Sequence, residues 1–128
     1  MTRIYSIIRQ KEMNFVKAVI IDDDRLSLLT IKGMLEEMDI NNKCFNNPKK
    51  AMKYIHRNSK KIDLILCDYL MPRINGLNIY NEIKDLNIEF ILISSINVDS
   101  SVRQLQKPIC FNELKNKILS LKIVSKTA

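Results

Sequence analysis

Short apolar runs alternate with stretches of helical periodicity along this chain, which predicts an α/β fold on a parallel sheet. Phe15–Ile21 is the first such run and predicts a strand. Leu28, Ile31, Leu35 and Met38 follow at spacings that place them on one helical face. A weaker strand is expected near Lys43–Phe45. Asn47-Pro48 then starts a second helix, with Asn as N-cap and Pro at the first helical position, where a missing N–H does no harm. Ala51, Met52 and Ile55 supply its buried stripe. Asp63–Cys67 predicts a third strand, low in polarity as expected where both sheet faces are covered. Asn75-Gly76 breaks the chain ahead of a third helix in which Leu77, Tyr80 and Ile83 share a face, and Phe90–Ile93 is the fourth strand. The last helix begins near Asn112, carries Glu113 in its first turn and buries Leu114, Ile118 and Leu121. Lys115, Lys117 and Lys122 lie further along it, the favourable direction for the helix dipole.

This pattern divides the chain into an N-terminal extension (1–14), one domain (15–124) and a short tail (125–128). Ile4, Ile7 and Ile8 allow a turn or two of amphipathic helix, too short to be stable alone. An upstream start and a functional arm are both compatible with residues 1–12. The sequence contains no internal repeat and no low-complexity linker.

Composition narrows the class. Hydrophobic residues at 46% and charged residues at 27% suit a globular domain rather than a disordered one. No apolar run approaches the length of a membrane span, and a secretory signal is not expected, because no small-residue cleavage site follows an apolar segment. Cys44, Cys67 and Cys110 are odd in number and scattered, so reduced thiols in a cytoplasm are expected, without a disulfide framework or zinc site. The net charge of +7 is densest at Lys49, Lys50, Lys53, Arg57, Lys60 and Lys61, with His56 among them. A solvated helix face is the plain reading, because no zinc-finger, basic-zipper or aromatic RNA-binding signature accompanies it; nucleic acid is not an expected partner.

The chemistry-bearing residues fall at the ends of predicted strands. Asp22, Asp23 and Asp24 follow Val19-Ile20-Ile21, and Asp68 follows Leu64-Ile65-Leu66-Cys67. In an open α/β sheet the carboxyl ends of the strands form the ligand crevice, so strands one and three bring these acids together. Clustered carboxylates raise one another's pKa unless a cation neutralises them, and a hard divalent ion such as magnesium fits an oxygen-donor set. Ser94 follows the fourth strand and Lys107-Pro108 the fifth, placing a hydroxyl and an ammonium where they can meet phosphoryl oxygens. A carboxylate nucleophile, a divalent ion, a lysine and a hydroxyl make a phosphoryl-transfer site. Asp24 fits an ordinary helix start, where negative charge meets the dipole.

The order I-I-D-D-D, C-D-Y-L-M-P-R-I-N-G, I-L-I-S-S and K-P resembles the response-regulator receiver family of two-component signalling, over roughly residues 15–122. The resemblance implies a flavodoxin-like, doubly wound, five-stranded parallel sheet of order 2-1-3-4-5. It also implies Asp68 as phosphoacceptor, Asp22 and Asp23 as the acidic pair for Mg2+, and the Leu70 backbone carbonyl as a further metal ligand. Ser94 matches the switch hydroxyl and Lys107 the phosphate-binding lysine, with the Lys107–Pro108 bond cis. A histidine kinase or histidine phosphotransfer protein is the implied donor, with output expected through contact with another protein or through phosphate relay.

The sequence departs from the family between Ser94 and Lys107. Only residues 95–106 intervene, where relatives carry about twenty, too few for a helix, a strand and two connections. The fourth helix is therefore expected to be shortened or missing. Gln104 stands where relatives often have an aromatic residue, so the surface that transmits phosphorylation is altered. Leu70 and Ile96 are apolar at positions that influence phosphate loss in relatives. Three other functions compete: a degenerate receiver that docks a partner without phosphorylation, a small phosphatase using Asp22 and Asp24 as a D-x-D pair, and a basic nucleic-acid binder.

Overall fold

The computed structural model describes residues 16–121 and 123. The expected N-terminal extension, its Ile4–Ile8 turn, Phe15, Lys122 and the tail lie outside those residues. The elements run β1 (Lys17–Ile21), α1 (Arg25–Glu37), β2 (Asn41–Phe45), α2 (Pro48–Asn58), β3 (Leu64–Asp68), α3 (Gly76–Ile83), β4 (Glu89–Ser94), β5 (Gln104–Gln106) and α4 (Phe111–Ser120). The strands form one parallel sheet in the order β2-β1-β3-β4-β5. None of the helices is long and apolar enough to cross a membrane, among the described residues.

Alternate residues of the central strands serve opposite faces, because a strand turns its side chains with a period of two. Ala18, Ile20, Leu64, Leu66, Ile91 and Ile93 pack under α1 and α4, against Leu28, Ile31, Leu35, Leu114 and Ile118. Val19, Ile21, Ile65, Cys67, Phe90 and Leu92 pack under α2 and α3, against Ala51, Ile55, Ile79 and Ile83. Both faces are dry, as the low polarity of the strands requires. The helix starts follow local chemistry. Asp24 caps α1 through Ser27 N–H, Asn47 caps α2 ahead of Pro48, and Asn75 and Asn78 cap α3 reciprocally.

Three expectations shift. β2 starts at Asn41 rather than Lys43, because a polar edge strand carries little hydrophobic signal. β3 runs Leu64–Asp68 rather than from Asp63, whose carboxylate instead accepts the Lys17 N–H at 2.9 Å. In α3 the buried positions are Gly76, Ile79 and Ile83, with Leu77 and Tyr80 only half-buried.

No helix joins β4 to β5. The crossover is residues 95–103, shorter than the dozen or so residues that a parallel connection ordinarily needs. Val98 closes the gap, buried against the α2–α3 side of the sheet where a helix would otherwise lie. Gln104 holds it there. Its side-chain amide donates to the Val98 carbonyl at 2.9 Å, and its amide oxygen accepts the Val98 N–H at 3.2 Å. One side chain thus satisfies both backbone groups of a buried residue that has no helix to satisfy them. Arg103 adds a bond to Glu89 at 2.9 Å across the exposed edge, where such pairs contribute little. Gln104→Ala should destabilise the domain by about 2 kcal/mol in urea unfolding, because it strands buried backbone groups. Gln104→Phe should be no milder; a variant of wild-type stability would refute the clamp.

Candidate functional site at the carboxyl edge of the sheet

Strand register assembles the site. Ile21 pairs with Cys67, so Asp22 and Asp68 stand level on neighbouring strands. Asp68 pairs with Ile93 and Ser94 with Gln106, which sets Ser94 beside Asp68 and Lys107 just past β5. Three backbone bonds lock these ends: Asp22 N–H to Phe45 O, Tyr69 N–H to Ile93 O, and Lys107 N–H to Ser94 O at 2.8 Å. Asp22, Asp68 and Ser94 are buried and Asp23 is exposed. One carboxylate oxygen each from Asp22, Asp23 and Asp68 lies within 4.8 Å of the others. The Lys107 ammonium lies 3.0 Å from Asp68 Oδ1, 3.3 Å from Asp22 Oδ2 and 3.3 Å from Ser27 Oγ. Ser27 was not anticipated; in the sequence it is indistinguishable from any first-turn serine. Asp24 stays outside this cluster, its carboxylate spent on the α1 cap, which removes the D-x-D pairing with Asp22.

The electrostatics are unbalanced. Burial pushes the Asp22 carboxyl above the usual carboxylate range and the nearby Asp68 charge adds to it, while the Asp24 N–H and Lys107 pull the other way. Burial likewise raises Asp68, with Asp23 adding to it and Lys107 opposing. Desolvation lowers the Lys107 pKa, but its contacts with Asp68 and Asp22 outweigh this and raise it. Three carboxylates face one ammonium, leaving two negative charges without a counter-charge. That excess, on oxygen donors alone, suits a hard divalent cation. Cys67, directly beneath, is pushed far up by burial and by these acids, so it is an inert thiol.

The loop after β3 is built around a glycine. A Cβ on Gly76 would sit 2.5 Å from Leu92 Cδ1 and 2.6 Å from the Asp68 carbonyl oxygen, so any side chain there displaces the Asp68 backbone. The Gly76 N–H donates to Tyr69 O at 2.8 Å and closes the loop. Within it Arg73 adopts φ 70 while Ile74 N–H reaches back to Pro72 O at 2.8 Å, a tight γ-turn in a sparsely populated conformation. Leu70 and Ile96 project into solvent with 60% and 50% of their surfaces exposed. The Ser94 hydroxyl accepts the Ile96 N–H at 3.1 Å, and the Lys107–Pro108 bond is cis.

The family profile for the response regulator receiver domain matches residues 18–119. The chain belongs to this family. The receiver domain is 30% identical over 117 residues to a 3′,5′-cyclic-nucleotide phosphodiesterase, regA, of Dictyostelium discoideum, covering 80% of this chain and 15% of that protein. It therefore spans a small part of the length of that curated relative. Among solved structures it resembles the response regulator TrrA of Thermotoga maritima in complex with Mg(2+)-BeF, at 24% identity and a TM-score of 0.73, covering 80% of this chain and 96% of that one. It also resembles the receiver domain in the Saccharomyces cerevisiae complex of the histidine phosphotransfer protein Ypd1 with the response regulator Ssk1. That match has 16% identity and a TM-score of 0.68, and covers 80% of this chain and 86% of that one. The sheet order and the missing helix between β4 and β5 agree with expectation, and Gln104, which stands where relatives often have an aromatic residue, clamps Val98.

Asp22 and Asp68 bind protons more tightly in the folded domain than at the ordinary value of 3.8. From 3.8 upward to the raised values the folded state therefore holds more protons than the unfolded one, and these two groups lower stability as pH rises. Asp68→Asn should raise Tm without divalent cations at neutral pH, and the gain should shrink at about pH 4 as wild-type Asp68 becomes protonated. Thermal melts of both proteins across that range check it; a pH-independent difference contradicts the assignment.

Proposed function

We propose that this receiver domain takes a phosphoryl group from a phosphohistidine of a histidine kinase or phosphotransfer protein onto Asp68. The observation that carries this is the Lys107 ammonium held between Asp68 and Asp22, inside an oxygen cluster with two negative charges in excess. The complex of Ypd1 with a receiver domain supports the donor class, and the Mg(2+)-BeF complex of TrrA supports the metal. Asp22, Asp23, Asp68 and the Leu70 carbonyl would hold Mg2+, which supplies the positive charge that this cluster lacks and screens the phosphoryl oxygens.

In the transfer an Asp68 carboxylate oxygen attacks phosphorus, the O–P bond forms and the histidine N–P bond breaks. Lys107 is already within bonding distance of Asp68 Oδ1 and passes to a phosphoryl oxygen with little movement. Ser94 Oγ offers its proton to another phosphoryl oxygen; its lone pairs are engaged by the Ile96 N–H, not its proton.

A second reading, in which the domain docks a partner independently of phosphorylation, rests on the helix-free crossover at 95–103 and the clamped Gln104. One measurement separates the two. Intact-mass analysis after incubation with a small phosphodonor and magnesium should give a single phosphoryl gain, absent in Asp68→Asn and without magnesium. No gain in the wild type supports the scaffold.

Leu70 follows Asp68 by two residues and Ile96 follows Ser94 by two, and both are exposed apolar side chains that cannot orient an attacking water. The aspartyl phosphate should therefore be long-lived, and Leu70→Asn should shorten its lifetime by about tenfold, less than a general base contributes because an amide orients water without taking its proton. Rapid phosphate loss that Leu70→Asn leaves unchanged would count against this.

A further inference from the structure

The +7 charge of this chain is not spread over it. No acid occurs between Asp39 and Asp63, and that interval holds seven of the 21 basic side chains. The remaining 14 bases match the 14 acids, so the whole excess resides in this one stretch. The fold turns it into a single face. Lys49, Lys50, Lys53 and Arg57 project from α2, with Lys60 and Lys61 directly after it, and all six are exposed. Lys43 joins them from the edge strand, its ammonium 5.0 Å over the Tyr54 ring of α2. None of the seven forms an ion pair among the described residues.

Folding does not explain this pattern. The packing of α2 needs only Ala51 and Ile55, which are buried. Lys49 and Lys50 sit in the first turn, where the helix dipole is positive and no acid offsets them. Lys49–Lys53 and Lys53–Arg57 are like-charge pairs at i,i+4, which oppose the helix. Arg57 in the last turn meets the dipole favourably, but the first-turn lysines and the like-charge pairs do not, and a polyanionic ligand would relieve them.

We infer that this face binds the phosphate backbone of nucleic acid without reading its sequence. Lys49, Lys53 and Arg57 repeat about every 6 Å along the helix. They line a groove of about 380 Å³ together with Met52, His56 and Glu82 of α3. A protein interface ordinarily centres on exposed apolar anchors and is depleted in lysine. Here the exposed large hydrophobics Leu26, Leu29, Leu70 and Ile96 lie on α1 and in the loops after β3 and β4. A membrane-surface helix buries its apolar side in lipid, and that side of α2 is already in the core. Backbone binding to nucleic acid needs cations alone. The inference is independent of chemistry at Asp68.

Fluorescence anisotropy with a short random-sequence DNA duplex and its single strand tests it. Wild-type affinity should fall about a hundredfold between about 50 and about 200 mM salt, as expected for about four phosphate contacts. The triple variant Lys49→Glu, Lys53→Glu, Arg57→Glu should bind at least about tenfold more weakly at low salt, with a shallower salt dependence. A charge-matched control, Lys84→Glu, Lys115→Glu, Lys117→Glu, should lose far less. The same three positions changed to Gln give a milder set if the Glu variant fails to fold, and should still weaken binding. An equal loss in the control, no wild-type binding to either probe at low salt, or patch-dependent binding to phosphatidylserine vesicles in place of DNA would each overturn the inference.

Discussion

Everything at the functional end of this receiver domain depends on one ammonium group among three carboxylates. Parallel pairing of β1 with β3 forces Asp22 and Asp68 to the same level, and the β1–α1 turn adds Asp23. Left alone these charges would repel and the strand ends would splay. Lys107 reaches both buried acids and the α1 hydroxyl of Ser27, tying three elements together with one side chain. It compensates only part of the charge. Two negative charges therefore remain in excess where the strand ends meet, and structural neutralisation of the cluster is incomplete.

The buried centre of the fold was legible because burial on both sheet faces leaves an unbroken apolar mark. β1, β3 and β4 announce themselves through Val19–Ile21, Leu64–Cys67 and Phe90–Ile93. The edges were less legible. β2 reads Asn-Asn-Lys-Cys-Phe, and its pairing is settled by backbone bonds to β1 that no side-chain pattern reveals. In α3, helical spacing pointed to Leu77, Tyr80 and Ile83 as the inward side, whereas Gly76, Ile79 and Ile83 are the buried positions, with Gly76 set close against the Asp68 carbonyl. Of the site, the acids, Ser94 and Lys107 were legible because they end strands. Ser27 and the two hydrogen bonds between Gln104 and Val98 were not, since both depend on three-dimensional proximity across connections that sequence spacing does not fix.

The crossover between β4 and β5 shows how few parts a parallel connection requires. A helix normally supplies both an apolar plug and internal satisfaction of its backbone. Here Val98 provides the first and Gln104 the second, in nine residues between the strands. Because Gln104 belongs to β5 and Ser94 ends β4, the clamp and the Ser94 hydroxyl sit at opposite ends of the same short segment.

β5 itself is three residues long and lies at the sheet edge. It pairs with β4 alone among the described strands, so opening it would leave the other strand pairings in place. The core under α1, α2 and α3 can remain intact while it opens, yet Lys107 leaves with it. A molecule with β5 open would keep its other strands, its helices and its three clustered acids, and lose the ammonium that bridges two of them.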